Sequence, residues 1–132
     1  MYDIPILDEI ERSFTEVQQH AIERCARIMW YGMRYFLRRA GLAGLDTESE
    51  LDAYCYYGAG VVGELLTDLF CNYSPEIEAK RNAMYQLSSS FGKGLQLTNI
   101  LKDQWEDRQR GISWLPRDLF LNHGVDLRQS VH

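Results

Sequence analysis

Four polar side chains, Gln96, Asn99, Asp103 and Asp107, recur three, four and four residues apart in the segment Gln96-Leu97-Thr98-Asn99-Ile100-Leu101-Lys102-Asp103-Gln104-Trp105-Glu106-Asp107. On a helix that spacing puts all four on one face, two carboxylates stacked a turn apart with two amides above them. Like charges at i and i+4 repel, so the pair costs stability unless a cation sits between them or water screens them. Magnesium suits the pair: it takes one or two carboxylates from a protein and completes its octahedron with water and phosphate oxygens. A solvated acidic face balanced by Lys102, Arg108 and Arg110 is the other reading of the same spacing. The aligned amides, which a merely solvated face does not need, tilt the reading towards magnesium.

A second candidate, Gly58-Ala59-Gly60-Val61-Val62-Gly63, matches the dinucleotide-binding pattern G-x-G-x-x-G. That pattern carries chemistry only where it follows a strand and opens a helix within a βαβ unit. Here Thr47 and Glu50 read as a capping box that starts a helix upstream, and no βαβ period appears. Three glycines in mid-helix destabilise it, so they imply that another helix or a flat apolar ligand approaches closely.

The elements that must carry these residues read as helices almost throughout. Ile10, Phe14, Val17, Ala21, Met29, Met33 and Phe36 or Leu37 recur three or four apart, predicting one buried stripe on a helix over residues 7–39. Gly41 and Gly44 break the pattern where a C-terminal cap belongs. A second helix is expected over 48–70. Ser74 and Pro75 read as an N-cap and first helical residue of a third, running towards Arg108 despite Gly92 and Gly94. A turn at Trp114-Leu115-Pro116 leads into a short helix that His123-Gly124 ends. No segment alternates long enough to demand a strand, and no repeat or linker appears. The expectation is an all-α fold forming one helical domain over residues 1–132.

Composition excludes several classes. The 132 residues are 45% hydrophobic and 25% charged with a net charge of −5, ordinary for a globular domain and unlike a nucleic-acid binder. Arg24, Arg27, Arg34, Arg38 and Arg39 recur at helical spacing and read as a solvated face. Cys25, Cys55 and Cys71 are odd in number and form no C-x-x-C pair, pointing to buried apolar roles in a reducing, cytoplasmic compartment. The start, Met1-Tyr2-Asp3-Ile4-Pro5, lacks a signal peptide's basic flank and apolar core, and no apolar stretch is long enough to span a bilayer. At most a peripheral membrane contact is expected.

Two segments resemble signatures of the squalene/phytoene synthase family. Tyr54-Cys55-Tyr56-Tyr57-Gly58-Ala59-Gly60-Val61-Val62-Gly63 is similar to its Y-C-x-Y-V-A-G-x-V-G segment. Leu95 to Asp103 with Glu106-Asp107 is similar to L-Q-x-T-N-I-x-R-D-x-x-E-D, and Arg110-Gly111 with Trp114-Leu115-Pro116 fits the tail that follows. Met29-Trp30-Tyr31-Gly32-Met33 with Phe36-Leu37 looks more like the squalene branch. The resemblance implies a helical bundle of the type I isoprenoid-synthase fold that condenses two allylic prenyl diphosphates, farnesyl or geranylgeranyl, head to head. It further implies that Asp103 and Asp107, with Asn99, hold Mg2+ bridging a prenyl diphosphate, and that Gln96 supports that cluster. Tyr54 would lie beside the reacting diphosphate, and Ala59, Val62, Gly63 and Leu66 would line the prenyl channel. NADPH enters only if the product is squalene.

Four positions depart from the pattern: Gly58 stands for Val, Lys102 for Arg, Ile112 for an Arg after Arg-Gly, and Trp114 for Tyr. Lys102 keeps the charge but loses the bidentate fork, and Ile112 removes one cation from the phosphate or cofactor end. The family's first aspartate-rich motif has no counterpart in Asp3 and Asp8, and the helices after the second signature are missing, so the chain reads as the middle of a synthase. Two functions follow: the central part of a prenyltransferase, or a helical module without turnover. In the second case Phe14, Met33, Val62 and Leu66 are expected to be exposed and to drive self-association.

Overall fold

A computed structural model describes residues 9–10 and 12–129 of the chain. The stretch before residue 9, including Leu7 and both upstream aspartates, lies outside the described residues. From Glu16 onward the elements run α1 (Glu16–Arg39), α2 (Glu48–Cys55), a π segment (Tyr56–Gly60), α3 (Val61–Tyr73), α4 (Pro75–Glu78), α5 (Arg81–Gln109) and α6 (Arg117–Asn122). The fold is all-α: among the described residues there is no strand, only isolated bridges of Gly41 with Ser113 and Leu45 with Pro116.

Caps explain most of the boundaries. The first long helix starts at Glu16, later than the periodicity suggests, because Thr15 and Gln18 form a complete capping box there. Ile10 and Val17 are consequently exposed, and the buried stripe is Ala21, Cys25, Gly32 and Phe36. At Thr47 only half of the expected box forms. The threonine hydroxyl accepts from the Glu50 amide, while the Glu50 carboxylate accepts from the Asp46 amide rather than closing back on Thr47. Ser74 accepts from the Ile77 amide with Pro75 at the first helical position, as expected. The helix it opens stops after four residues, and α5 restarts at Arg81.

The helix expected over 48–70 is interrupted by the π turn, where the Val61 amide donates to the Tyr56 carbonyl, five residues back. A π turn inserts one extra residue and rotates everything after it relative to everything before it. Tyr54 and Gly58 therefore face one part of α5, while Gly60 and Gly63 face another. A Cβ on Gly92 would stand 2.7 Å from the Ala59 carbonyl oxygen and from the Gly60 Cα, and one on Gly63 would stand 2.7 Å from the Ser88 carbonyl oxygen. The glycine-rich segment is thus a close helix crossing, as inferred from its mid-helix glycines, and no βαβ unit surrounds it. On the far side the Tyr57 ring lies directly on the backbone of Gly32, bringing α1 into the same contact.

Phe36, Leu45, Tyr54, Cys55, Ile100, Trp114, Leu115 and Leu127 form one core cluster joining α1, α2, α5 and the C-terminal loop. Gly44, at φ 77°, makes the turn that lets Leu45 donate to the Leu115 carbonyl at 3.0 Å. All three cysteines are buried and free. Of the basic stripe on α1, Arg24 is not merely solvated: it reaches across to Glu64 on α3 at 2.8 Å, and the Tyr56 hydroxyl donates to the same carboxylate.

Candidate functional site

The helix α5 carries Gln96, Asn99, Asp103 and Asp107 on one half-buried face. The two carboxylates differ in setting. The Asp103 side chain is 45% exposed, with Lys102 Nζ at 3.4 Å, whereas that of Asp107 is 19% exposed, with Arg110 at 4.0 Å. Neither contact is close enough to neutralise the pair fully, so both remain available as hard oxygen donors. Among the described residues no group of three or more His, Cys, Asp and Glu side chains converges on one metal position. Two carboxylates with a neighbouring asparagine amide fit a magnesium ion that takes its other ligands from phosphate and water.

Tyr54 is brought to this face by α2 just before the π turn. It is buried, with its ring stacked on Trp114 at 4.3 Å between centroids and 13° between planes, and edge-on to Phe36 at 5.3 Å. Burial, reinforced by the Asp107 carboxylate and opposed by a hydrogen bond with Gln96, pushes its phenol up to about 12. At neutral pH Tyr54 is therefore an uncharged hydroxyl beside the Asp107 carboxylate, able to donate to an anionic oxygen without adding repulsion. The sequence places Trp114 in a turn and in the tail of the second family signature. In the structure it forms the floor under the tyrosine, and the signal for that is a Trp-Leu pair beside Pro116, a large apolar load for a loop.

The proposed channel residues are spread over two environments. Ala59 and Gly63 lie in the crossing with α5, Val62 is half-buried, and Leu66 is 44% exposed. Gly58 lies beside the Gln96 side chain: a Cβ placed there would meet it at 3.4 Å, an ordinary contact. Since Gly in a helix costs about 0.5–1 kcal/mol relative to Ala, Gly58→Ala should raise stability by roughly that amount. Thermal unfolding followed by circular dichroism checks this.

A second polar cluster lies between α3, α4 and α5. Asp68 accepts from Arg81 at 2.7 Å and from the Tyr85 hydroxyl, and Arg81 also holds Glu78. Each of these charges has a partner, so the cluster ties helices together. Burial and the Asp68 bond push Tyr85 up to about 12. Two tyrosines raised in the folded state bind protons more tightly than the unfolded chain does. Their contribution is full below about pH 10 and is lost as pH rises towards 12. Stability to urea should therefore fall between about pH 10 and 12, by about 1 kcal/mol or more, and Tyr54→Phe should flatten that decline.

The chain belongs to the squalene/phytoene synthase family, whose model matches residues 3–131. It is 39% identical to phytoene synthase 1, chloroplastic, of Solanum lycopersicum over 99 residues, covering 75% of this chain and 23% of that protein. It is 34% identical over 125 residues to phytoene synthase 2, chloroplastic, of Oryza sativa subsp. japonica, covering 95% of this chain and 29% of that protein. Identity to phytoene synthase, chloroplastic, of Narcissus pseudonarcissus is also 34% over 125 residues, covering 95% of this chain and 27% of that protein. The chain thus spans about a quarter of the length of these relatives. All three are phytoene synthases, against the squalene-like look of residues 29–37. No helix among the described residues is long and apolar enough to cross a membrane.

Proposed function

We propose that this chain contributes one half of the magnesium-diphosphate site of a head-to-head prenyl diphosphate condensation, with geranylgeranyl diphosphate as substrate and phytoene as product. The single observation that carries the reading is the half-buried acceptor face of α5, on which Asp103, Asp107, Asn99 and Gln96 sit beside the uncharged hydroxyl of Tyr54. The names of the phytoene synthases it resembles support the geranylgeranyl choice. Magnesium, when bound, neutralises charge on a departing pyrophosphate. Asp103 and Asp107 would hold it, with the Asn99 amide oxygen as a further donor. Gln96 bridges this face to Tyr54 and keeps the hydroxyl aimed at it. Tyr54 offers a proton donor to a diphosphate oxygen and, with Phe36 and Trp114, an aromatic wall that keeps water from a carbocation. The squalene branch would require NADPH; condensation to phytoene requires no hydride donor.

Calorimetric titration with geranylgeranyl and farnesyl diphosphate, with magnesium or with EDTA, tests the proposal. Both should bind only with magnesium. The geranylgeranyl chain should bind about tenfold more tightly or better, since each buried methylene adds about 0.8 kcal/mol. Binding that survives EDTA, or a preference for farnesyl diphosphate, would contradict the metal or the substrate assignment respectively.

A further inference from the structure

The apolar surface expected at Phe14, Met33, Val62 and Leu66 is largely elsewhere: Met33 packs on the core, Phe14 and Val62 are half-buried, and only Leu66 is exposed. Exposed apolar side chains stand on α1 (Trp30, Tyr31, Leu37) and α3 (Phe70, Tyr73), and a regular row of them lines the outer side of α5. Leu87 is 68% exposed, Phe91 72%, Leu101 64% and Trp105 68%. With Gly94 and Thr98 between them, they recur at intervals of four, three, four, three and four residues, the period of a coiled-coil seam rather than of a surface helix. The seam lies opposite the face of Gln96, Asn99, Asp103 and Asp107.

We infer that this seam is a docking surface for a second copy of the same chain, its α5 packed antiparallel about a two-fold axis level with position 96. The order of residues is what selects that occupant. Reversing the helix about position 96 sets Leu87 against the second copy's Trp105, Phe91 against its Leu101, and Gly94 against its Thr98. Large side chains meet at both ends and small ones meet at the crossing, where the backbones must come closest. Leu95 and Leu97, both exposed, flank the axis on either side and meet their own symmetry mates. Lys102, the charge beside the seam, comes level with the second copy's Ser88 and Ser90, so no like charges face each other. At the Trp105 end the second copy's Leu87 enters a groove that Leu101 and Trp105 form with Phe120 and Val125. A two-fold contact of this kind is self-complementary by construction. The seam runs about 27 Å along the helix at 1.5 Å per residue. Covering it removes roughly 700 Å² per copy, near the ~800 Å² per partner of a standard interface. Because the carboxylate face lies on the other side of α5, dimerisation leaves it open.

Sedimentation equilibrium of the chain over the micromolar range tests the inference. The wild type should be dimeric, and Phe91→Lys and Leu101→Glu should each be monomeric with unchanged helix content. Mixing the two variants should restore a heterodimer, because in the antiparallel register Lys at 91 faces Glu at 101 while the other pair stays apolar. Leu87→Lys with Trp105→Glu repeats the test at the outer layer, should either inner variant fold poorly. A monomeric wild type would mean that the seam is reserved for another partner or another segment of a longer protein, and would overturn the inference. A dimer that survives the single variants, or variants that fail to recombine at both layers, would overturn it equally, the first by placing the contact elsewhere and the second by excluding the antiparallel register.

Discussion

Replacing Gly92 should cost substantial stability, because it opens the closest approach of α5 to the π segment. The Cβ of Gly92→Ala would stand 2.7 Å from the Ala59 carbonyl oxygen and from the Gly60 Cα, and both are backbone atoms that cannot swing away. Accommodating it requires α5 to move off the π segment, loosening the crossing that also seats Gly63 on Ser88. Overpacking typically costs about 1–3 kcal/mol, and a clash of backbone on backbone belongs at the upper end. Gly92→Ala should lose about 2 kcal/mol, and Gly92→Val about 3 kcal/mol or more, a fall of the order of 10 °C in melting temperature. Since Gly58→Ala is expected to gain stability, the two substitutions separate helix propensity from packing. Equal effects at both positions would show that the crossing is looser than described.

The all-α class was readable because helical periodicity and caps are local signals. Thr15, Thr47 and Ser74 each act within four residues of where they stand. The carboxylate face was readable for the same reason: Gln96, Asn99, Asp103 and Asp107 belong to one helix, and their spacing alone aligns them. What the sequence hid depends on contacts between distant segments. The π turn over Tyr56–Gly60 follows from fitting glycines against α5, and no residue inside it announces a widened turn. The burial of Trp114 depends on a loop folding back over Tyr54 through Leu45 and Leu115. Nor could spacing set Tyr54 beside Gln96 and Asp107; only the family signature linked those segments. The missed exposure of α5 has a plain cause as well: its seam is interrupted by Gly94 and Thr98, so it does not read as one apolar stripe.

Asp103→Asn and Asp107→Asn should abolish magnesium-dependent diphosphate binding while leaving the fold intact. Each substitution removes a hard, charged ligand and leaves a neutral amide of the same shape. Losing an outer-shell partner of a metal site typically costs 10–100-fold in affinity, so losing a direct ligand should cost about 100-fold or more. Stability should hold or rise by a few tenths of a kcal/mol, because a repelling i, i+4 pair is relieved. The contacts of Lys102 and Arg110 with these carboxylates are too exposed or too long for their loss to reverse that sign. The decisive measurement is an NMR titration of the chain with magnesium, with and without inorganic pyrophosphate, following the backbone amides of Asn99, Asp103 and Asp107. Magnesium alone should shift them weakly, magnesium with pyrophosphate should shift them strongly and saturably, and either aspartate substitution should erase that response without lowering the melting temperature. Tight magnesium binding that ignores pyrophosphate, or a response unchanged in both variants, would show that the polar face of α5 does not bind a metal-bridged diphosphate.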